Sequence, residues 1–598
     1  MKLKKNHITR TLHSLRFQLL MLCLVLCNFS WVQGQEFGID SLSLWWKSGE
    51  VYVTGNTNPS FFDINVNRVS AWHTIPTYRF PIPFTITQST HVNRPVFYKG
   101  VTTTATDFPG KFNFNNYVKF EGNQALINHA LNYASRIGTT PTIFMVATAR
   151  NDGSTFIAAY NGQNYRDDAL QIKNSFRVQK GRNSWGWYTN LSSATASHTH
   201  YTNQQPRIFG LWSSTANNNS STRAFLNEFI NSTTTNGNSD YWPDVSPSST
   251  FYLGSRQSLQ EAMDDDIAEV LIFNRILTQS EIRIITTYLA VKYGITLKDN
   301  YVTQQGITAY EYNTHTGFNN NITAVARDNV WGSVNNDLYQ KKSRSINPNG
   351  FLTLYMGGTA SLGATMNQSV DISSGVNQRN YIFIGDNDAT TNLNRLITAT
   401  HFTDYTENVL HSMGRTWKMV HYAPISDLHD KVSIYLKPED YAGAANLHVI
   451  VADDANFTTN VVHHPLTPNS GFGEWYYYIF DNNTDATGIG QIDIPSGKYF
   501  TLGELAIIPE FELDTLCEND PVFTFPGTSD NNISGTWNPI SVDPSNSTIT
   551  AWLANPANTG PYIFEAIFTP NPGLGSPQVT VPIYIFAQPT TGPIIATP

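Results

Sequence analysis

One stretch near the middle of the chain, residues 264–297, has the pattern of a strand, a capped helix and a stop signal. Ile267–Phe273 is apolar and rich in β-branched residues, which predicts a buried strand. Thr278 and Glu281 have the spacing of a capping box, in which the hydroxyl and the carboxylate each accept a backbone N–H of the first turn. Gly294 follows the helical pattern, as a left-handed residue after a helix often does. Such a segment closes a β-rich domain, and we expect the residues before it to form that domain.

The composition of the 598-residue chain favours an exported, β-rich protein. Charged residues make up 14% and aromatic residues 13%, which is too aromatic for a disordered chain and too poor in charge for a coiled coil. At roughly 150 residues per domain, the length predicts three or four domains. The formal net charge of −9 and the lack of a basic stripe argue against a nucleic-acid partner.

Residues 1–34 are predicted to be a signal peptide. They carry five basic residues and no acidic one, and their apolar core at 19–27 is too short to span a bilayer. Cleavage after Gly34 would leave Gln35 as the first mature residue. No later stretch has the pattern of a membrane span, so none is predicted. Cys517 would be the cysteine that remains, and we therefore expect no internal disulfide.

Residues 35–297 contain many short strand-like segments, separated by turns rich in Asn, Gly and Ser. Leu42–Trp46, Thr142–Ala147 and Arg207–Trp212 are examples. A single late helix among so many strands favours a sandwich or jelly roll over an α/β fold. The predicted fold class is therefore all-β and multidomain, with one C-terminal helix on the first domain and further β-sandwich modules after it.

Three segments of this region carry a family pattern. They are the opening Leu-Trp-Trp strand at 44–46, the strand at 113–122, and the block Asp-Ile-Ala-Glu-Val-Leu-Ile-Phe-Asn-Arg at 266–275. Together they resemble the laminin-G-like (concanavalin A-like) jelly-roll domains of Bacteroidetes surface proteins. The segment at 288–297 is similar to the tail that these domains carry in flavobacteria. The resemblance implies a jelly roll at 35–297.

Two further modules are expected after the jelly roll. Residues 298–508 resemble a β-rich module of unknown function that often follows it in adhesin-like proteins. Residues 509–588 resemble the Ig-like repeats of giant flavobacterial adhesins, although Cys517 lacks the second cysteine usual in those repeats. Residues 589–598 have a linker composition. We expect this chain to be the N-terminal part of a longer surface protein.

The resemblance implies a function as well as a fold. It implies a protein exported by the type IX route to the outer cell surface, where it takes part in adhesion or gliding. The expected partner is an extracellular glycan or a surface protein, and the secretion and gliding machinery is a further one. A structural stalk that binds no ligand is a second alternative to this adhesin-like function, after the enzyme described next.

The candidate for catalysis is the set of three carboxylates at Asp264, Asp266 and Glu269. Some glycosidases on the same scaffold use Glu-x-Asp-x-x-Glu on one strand, and retention needs the outer pair about 5 Å apart. Here an aspartate stands where the nucleophilic glutamate is expected, and its shorter side chain would misplace the attack. The other interpretation is an acidic turn, with Glu269 in a structural hydrogen bond. We therefore predict no catalytic residue, and a glycoside hydrolase using these three residues stays the first alternative.

The acidic run and two pairs of histidines are the candidate metal sites. The acidic run would also offer oxygen ligands to Ca²⁺, which laminin-G-like domains often hold at a rim, but no metal ligand is assigned. His198 and His200 would share a strand face without a third ligand nearby, and the adjacent His463 and His464 are no stronger.

Trp185 and Trp187 are the candidate ligand-binding residues. Because side chains alternate along a strand, both indoles would lie on one face. Exposed, they would stack on a sugar ring; buried, they would fill a core.

Overall fold

The computed structural model divides into two compact units, each described by itself. The first comprises the described residues up to Asp388, with Lys418–Ala442 and Pro468–Gly497; the second comprises Ala389–Trp417, Gly443–Thr467 and those from Lys498 onward. The residues that the structure describes are 37, 39–48, 51–53, 68–77, 82–98, 111–129, 136–137, 141–148, 155–160, 167–172, 176–180, 187–190, 205–213, 222–227, 250–255, 259, 262–328, 338–340, 342–356, 379–397, 409–422, 432–436, 441, 447–469, 471–480, 497–506, 508–546, 549–551, 554–555, 561–571 and 576–587.

Strands dominate these described residues. In chain order the elements are β1 (Leu42–Lys47), β2 (Val51–Val53), β3 (Val69–His73), β4 (Thr85–Thr87), a 3-10 helix (His91–Asn93), β5 (Val96–Tyr98), β6 (Tyr117–Lys119), β7 (Leu126–Asn128), β8 (Thr142–Ala147), β9 (Thr155–Tyr160), β10 (Asp167–Ile172), β11 (Phe176–Lys180), β12 (Trp187–Asn190), β13 (Arg207–Ser213), β14 (Thr222–Leu226), β15 (Thr250–Leu253), β16 (Asp266–Phe273), α1 (Gln279–Tyr293), β17 (Tyr301–Val302), β18 (Thr308–Tyr310), a 3-10 helix (Tyr312–His315), β19 (Asn320–Asp328), β20 (Leu338–Gln340), β21 (Lys342–Arg344), β22 (Thr353–Met356), β23 (Arg379–Asp386), β24 (Leu393–Ile397), β25 (Val409–Met413), β26 (Trp417–Tyr422), β27 (Val432–Leu436), β28 (Leu447–Ala452), β29 (Val462–Pro465), β30 (Thr467–Asn469), β31 (Gly471–Phe480), β32 (Tyr499–Ala506), β33 (Leu516–Cys517), β34 (Phe523–Thr524), β35 (Gly535–Asn538), β36 (Ser541–Val542), β37 (Tyr562–Pro570) and β38 (Val579–Phe586).

Two sheets form a sandwich in the first unit. One has the order β14-β13-β8-β16-β6-β5, with β1 also paired to β16, and the other has the order β12-β11-β10-β9-β15-β7-β4-β3-β2. Inward-facing residues of both sheets meet in one core, in which Trp46 stacks on Phe251 with ring centroids 5.5 Å apart. The alternation of side chains along each strand therefore builds the sandwich core that the sequence pattern predicted.

Strand β16 is buried on both faces because α1 covers the face that points away from the second sheet. All eight of its residues are buried. The helix begins at the predicted capping box: the Thr278 hydroxyl accepts from the Glu281 N–H at 3.3 Å, and the Glu281 carboxylate accepts from the Thr278 N–H at 2.8 Å. The helix ends at Gly294, which has a φ of 65°.

Further strands of the first unit continue the core beneath α1. They form the two-stranded sheet β17-β18, the run β20-β19-β23-β26 and the sheet β21-β22-β27-β31-β30. One apolar cluster contains Trp45 of β1, Leu289 of α1, and Tyr301 and Phe383 of the strands that follow. The helix is therefore buried from two directions, and ten of its fifteen residues are buried.

The second unit also consists of strands. One of its sheets runs β29-β28-β32-β25-β24. Residues 516–586 form a four-stranded sheet, β33-β38-β37-β35, and a two-stranded one, β34-β36. Trp537 lies at the centre of their core, with its ring centroid 4.5 Å from that of Phe525. Cys517 is half-buried and forms no disulfide within the described chain.

The all-β, multidomain prediction with one helix on the first domain is confirmed. The predicted signal peptide at 1–34 and the predicted linker at 589–598 lie outside the described residues. The boundaries 35–297, 298–508 and 509–588 stay predictions. The described part of the chain contains no helix with the length and hydropathy needed to cross a membrane.

Candidate functional site

The three candidate carboxylates differ in their surroundings. Asp264 precedes β16 and is half-buried, whereas Asp266, the first residue of the strand, is 1% exposed and Glu269 is fully buried. The register of β16 against β8 shifts between Ile267 and Glu269, which marks a β-bulge. Ala268 belongs to the cluster beneath α1, and the bulge leaves Glu269 on that side too. The structure therefore turns Glu269 toward the helix.

Both oxygens of the Glu269 carboxylate accept hydrogen bonds. Oε1 accepts from Trp45 Nε1 at 2.6 Å and from the Tyr288 hydroxyl at 3.0 Å. Oε2 accepts from Lys292 Nζ at 2.5 Å and from the Tyr293 hydroxyl at 2.7 Å. Four donors thus surround one buried charge, and three of them come from α1. This arrangement fits the structural interpretation of Glu269, since the whole residue is buried and both oxygens are engaged.

Electrostatics keep this carboxylate ionised. Burial by itself would raise the pKa of Glu269, but the charges of Lys292 and Lys47 and hydrogen bonds from Lys292 and Tyr293 outweigh it, so the pKa lies below its ordinary value. Burial and the nearby Glu269 charge raise the pKa of Tyr288 and of Tyr293 well above the ordinary value. The phenols therefore remain protonated donors.

Acid should weaken this network. A carboxylate with a lowered folded pKa adds stability above its unfolded pKa of about 4.3, and this contribution is lost as the pH falls through the folded pKa. We expect wild type to exceed Glu269→Gln in the free energy of unfolding at pH 6, and the difference to shrink below about pH 4. Urea denaturation between pH 2.5 and 7 measures this difference in the free energy of unfolding, and hydrogen exchange of α1 peptides reports on the helix itself. A difference independent of pH would contradict the assignment of the charge to Glu269.

Asp266 makes its own contacts at the start of β16. Its Oδ2 forms an ion pair with Lys111, and its backbone N–H donates to Thr148 Oγ1 at 3.0 Å. The structure therefore brings Asp266 and Glu269 to one strand but gives them separate partners. The catalytic alternative remains a hypothesis, and these contacts lend it no support.

Asn113 forms a second polar centre near the C-terminus of α1. This buried residue adopts a φ of 49°. Its Nδ2 donates to Lys292 O at 3.1 Å and to Ser343 Oγ at 2.9 Å, and its Oδ1 accepts from the Arg344 N–H at 2.8 Å. One side chain therefore links the turn before β6, the end of the helix and β21.

The family-like segments thus meet around α1. Four segments contribute to these two polar centres: the opening Trp-Trp strand, the turn with Asn113 that precedes β6, the block with Glu269 and the helix tail with Lys292. Each of these segments was recognisable separately from its sequence. The roles of Tyr288 and Lys292 as partners of Glu269 were not predicted, although their i, i+4 spacing places them on one helix face.

An aromatic pair lies at the edge of the sheet that contains β16. Tyr98 of the edge strand β5 lies opposite Tyr117 of β6, and their rings stack with centroids 5.0 Å apart and an interplanar angle of 3°. Tyr117 packs against the cluster beneath α1, while Tyr98 is 38% exposed. Lys119 and Glu121 form an ion pair at 3.3 Å on the neighbouring stretch of chain. This pair was not predicted, because a strand of three residues such as β5 has no clear hydrophobic period.

The other predicted sites have different outcomes. Trp185 lies outside the described residues, as do His198 and His200. Trp187 begins β12, opposite Lys180, and its side chain lies outside the described part. Within the described residues no three His, Cys, Asp or Glu side chains gather with the spacing of metal ligands. Calcium binding stays untested.

Comparison with protein families gives one match. A family described as a domain of unknown function (DUF8202) matches residues 281–483. The match begins inside α1 and overlaps the β-rich module predicted for 298–508. No curated protein matches the chain.

Several solved structures are distantly similar. Domain 4 of the extracellular arabinanase AbnA from Geobacillus stearothermophilus, in complex with arabinotriose, is 11% identical; the alignment covers 40% of this chain and 96% of that one, with a TM-score of 0.26. The binding domain of botulinum neurotoxin DC, in complex with rat synaptotagmin II, is 11% identical over 71% and 92%, with a TM-score of 0.25. Trypanosoma rangeli sialidase is 16% identical over 29% of this chain and only 27% of its own, with a TM-score of 0.21. Similarity at this level carries no argument about function.

Proposed function

We propose that the first unit is a non-catalytic recognition domain of an exported surface protein and that it binds an extracellular glycan. One observation carries the proposal: α1 covers the part of a sheet face that holds Glu269, while the edge strand β5 of the same sheet presents Tyr98, 38% exposed and stacked on Tyr117. Export, an outer-surface location and contact with secretion or gliding machinery belong to the same proposal, and rest on residues 1–34 and the family resemblance.

The tyrosine pair has the chemistry of a sugar platform. An aromatic ring offers a flat apolar surface to the C–H face of a pyranose, and its hydroxyl offers a hydrogen bond at the ring edge. Stacking on Tyr117 fixes the orientation of Tyr98, so little conformational freedom is lost on binding. Lys119 and Glu121 provide polar groups nearby, as binding sites with a few placed polar residues require.

The burial of Glu269 supports recognition over hydrolysis. A glycosidase acid must reach the glycosidic oxygen, and here the carboxylate is fully buried beneath a helix. The stalk alternative requires no ligand, and therefore predicts that the exposed tyrosine has no binding role.

Loss of the Tyr98 ring should weaken glycan binding. We expect Tyr98→Ala to reduce affinity about tenfold or more, equivalent to about 1.4 kcal/mol, and Tyr98→Phe to retain most of it because the ring remains. Affinity electrophoresis of the mature chain measures this affinity, in gels that contain laminarin, xylan, pectin or alginate.

Matched variants distinguish glycan binding from the hydrolase and stalk alternatives. Tyr584→Ala removes a ring of similar exposure, 41%, from the sheet β33-β38-β37-β35 and should leave retardation unchanged. Reducing-sugar release that Asp264→Asn abolishes would instead support the hydrolase. Equal retardation of wild type and Tyr98→Ala would overturn the tyrosine platform, and no retardation in any gel would favour the stalk.

A further inference from the structure

Two imidazoles face each other on the outer hairpin of a sheet in the second unit. His448 of β28 and His463 of β29 have their Nδ1 atoms 3.1 Å apart and their ring centroids 5.1 Å apart. The register pairs His448 with Pro465 and Ile450 with His463, so the two histidines are diagonal neighbours on one face. Fifteen residues separate them along the chain, which explains why the sequence pattern did not reveal the pair.

This nitrogen spacing is that of two ligands on one metal ion. Imidazole nitrogens lie about 2.0–2.1 Å from a zinc ion. From those bond lengths, two such nitrogens are about 2.9 Å apart when the N–Zn–N angle is a right angle, and about 3.3 Å apart when it is tetrahedral. The observed 3.1 Å falls between these values. Imidazole suits Zn²⁺, Cu²⁺ and Ni²⁺, whereas Ca²⁺ and Mg²⁺ prefer oxygen.

The pair is also accessible from solvent. Both side chains are partly exposed, so an ion can reach the two ring nitrogens.

We infer that His448 and His463 form a two-nitrogen clip for a divalent transition-metal ion, with Zn²⁺ as the first choice. No third protein ligand gathers with them among the described residues. The remaining coordination positions are therefore open to water or to a donor from a ligand. Binding would fasten β29 to β28, its neighbour within the described sheet. The inference is independent of the proposed glycan site.

Isothermal titration of the mature chain, prepared without a histidine tag, tests the clip. Zn²⁺ is the probe at pH 7.5, with Ni²⁺ as a second ion. Removal of an outer-shell partner typically costs 10–100-fold in metal affinity, so loss of a direct ligand should cost at least about tenfold. We expect this loss in His448→Gln and in His463→Gln. The matched control is His464→Gln, because His464 points to the other face of the same strand.

Hydrogen exchange of the wild-type hairpin provides a readout that requires no variant. With bound Zn²⁺, amides in residues 447–465 should exchange more slowly than without it, while those of the sheet β33-β38-β37-β35 should be unaffected. Three results would overturn the clip: no slowing, an affinity in His448→Gln equal to that of wild type, or an equal loss in His464→Gln. In those cases the contact is a hydrogen bond between the two rings.

Discussion

Replacing Glu269 by alanine should lower the free energy of unfolding of the first unit by about 3–5 kcal/mol, the usual cost of removing one partner from a buried charge pair. The change removes the acceptor for Trp45 Nε1, two phenols and Lys292 Nζ. Lys292 is only 17% exposed, so its charge would be left with poor hydration. Urea denaturation of the chain from Gln35 onward measures this loss, with hydrogen exchange of α1 peptides reporting on the first unit.

Glu121→Ala is the matched control for this prediction. Glu121 pairs with Lys119 at 3.3 Å, and both side chains are partly exposed, at 37% and 26%. A surface pair of this kind contributes about 0–1 kcal/mol, and the Glu121 carboxylate also accepts a hydrogen bond from the buried Gln124 Nε2 at 3.0 Å, which contributes about 1 kcal/mol. Removal of Glu121 should therefore cost clearly less than removal of Glu269. Glu269→Gln should fall between the two, because it keeps the shape and one acceptor. Similar losses for Glu269→Ala and Glu121→Ala would refute a central role for the buried network.

Replacing Gly294 by alanine should lower the free energy of unfolding by about 2–5 kcal/mol. The glycine has a φ of 65°, and left-handed backbone costs about 1–2 kcal/mol for a residue with a Cβ. The added Cβ would also lie 2.2 Å from the backbone oxygen of Arg344 and 3.0 Å from Asn113 Cγ. Because the closest atom is backbone, the end of α1 and β21 would have to move apart, and forced overpacking typically adds about 1–3 kcal/mol.

Gly122→Ala separates these two costs. Gly122 has a φ of 79°, and among the described residues beyond its chain neighbours no atom lies within 4 Å of the position that an added Cβ would take. It should therefore show the conformational cost alone, about 1–2 kcal/mol. The same denaturation experiment compares both variants. Equal losses would mean that the close approach of Gly294 to Arg344 is unimportant for stability.

The local features of the 264–297 stretch were predictable because they depend on neighbours in sequence. A capping box needs two residues three apart, and a helix stop needs a left-handed residue after the last turn. The structure has both, at Thr278 with Glu281 and at Gly294. The burial of β16 followed equally from its apolar, β-branched sequence.

The partners of Glu269 were not predictable in this way. The β-bulge that leaves Ala268 and Glu269 on one side depends on the register between β16 and β8. A strand pattern of period two says which residues share a face, but a bulge changes that parity and has no clear sequence mark. Catalysis and structural bonding therefore remained alternatives for one carboxylate at the level of sequence.

The amino-acid sequence by itself determined the all-β class, the capped helix and the existence of Glu269 as a charged residue in an apolar strand. Only the tertiary structure decided that α1 covers that carboxylate, that Asn113 meets Arg344, and that His448 meets His463. The physical reason is the range of the interactions. Propensity, periodicity and capping act over a few residues, whereas register and the choice of the covered sheet face are set by the packing of the whole core.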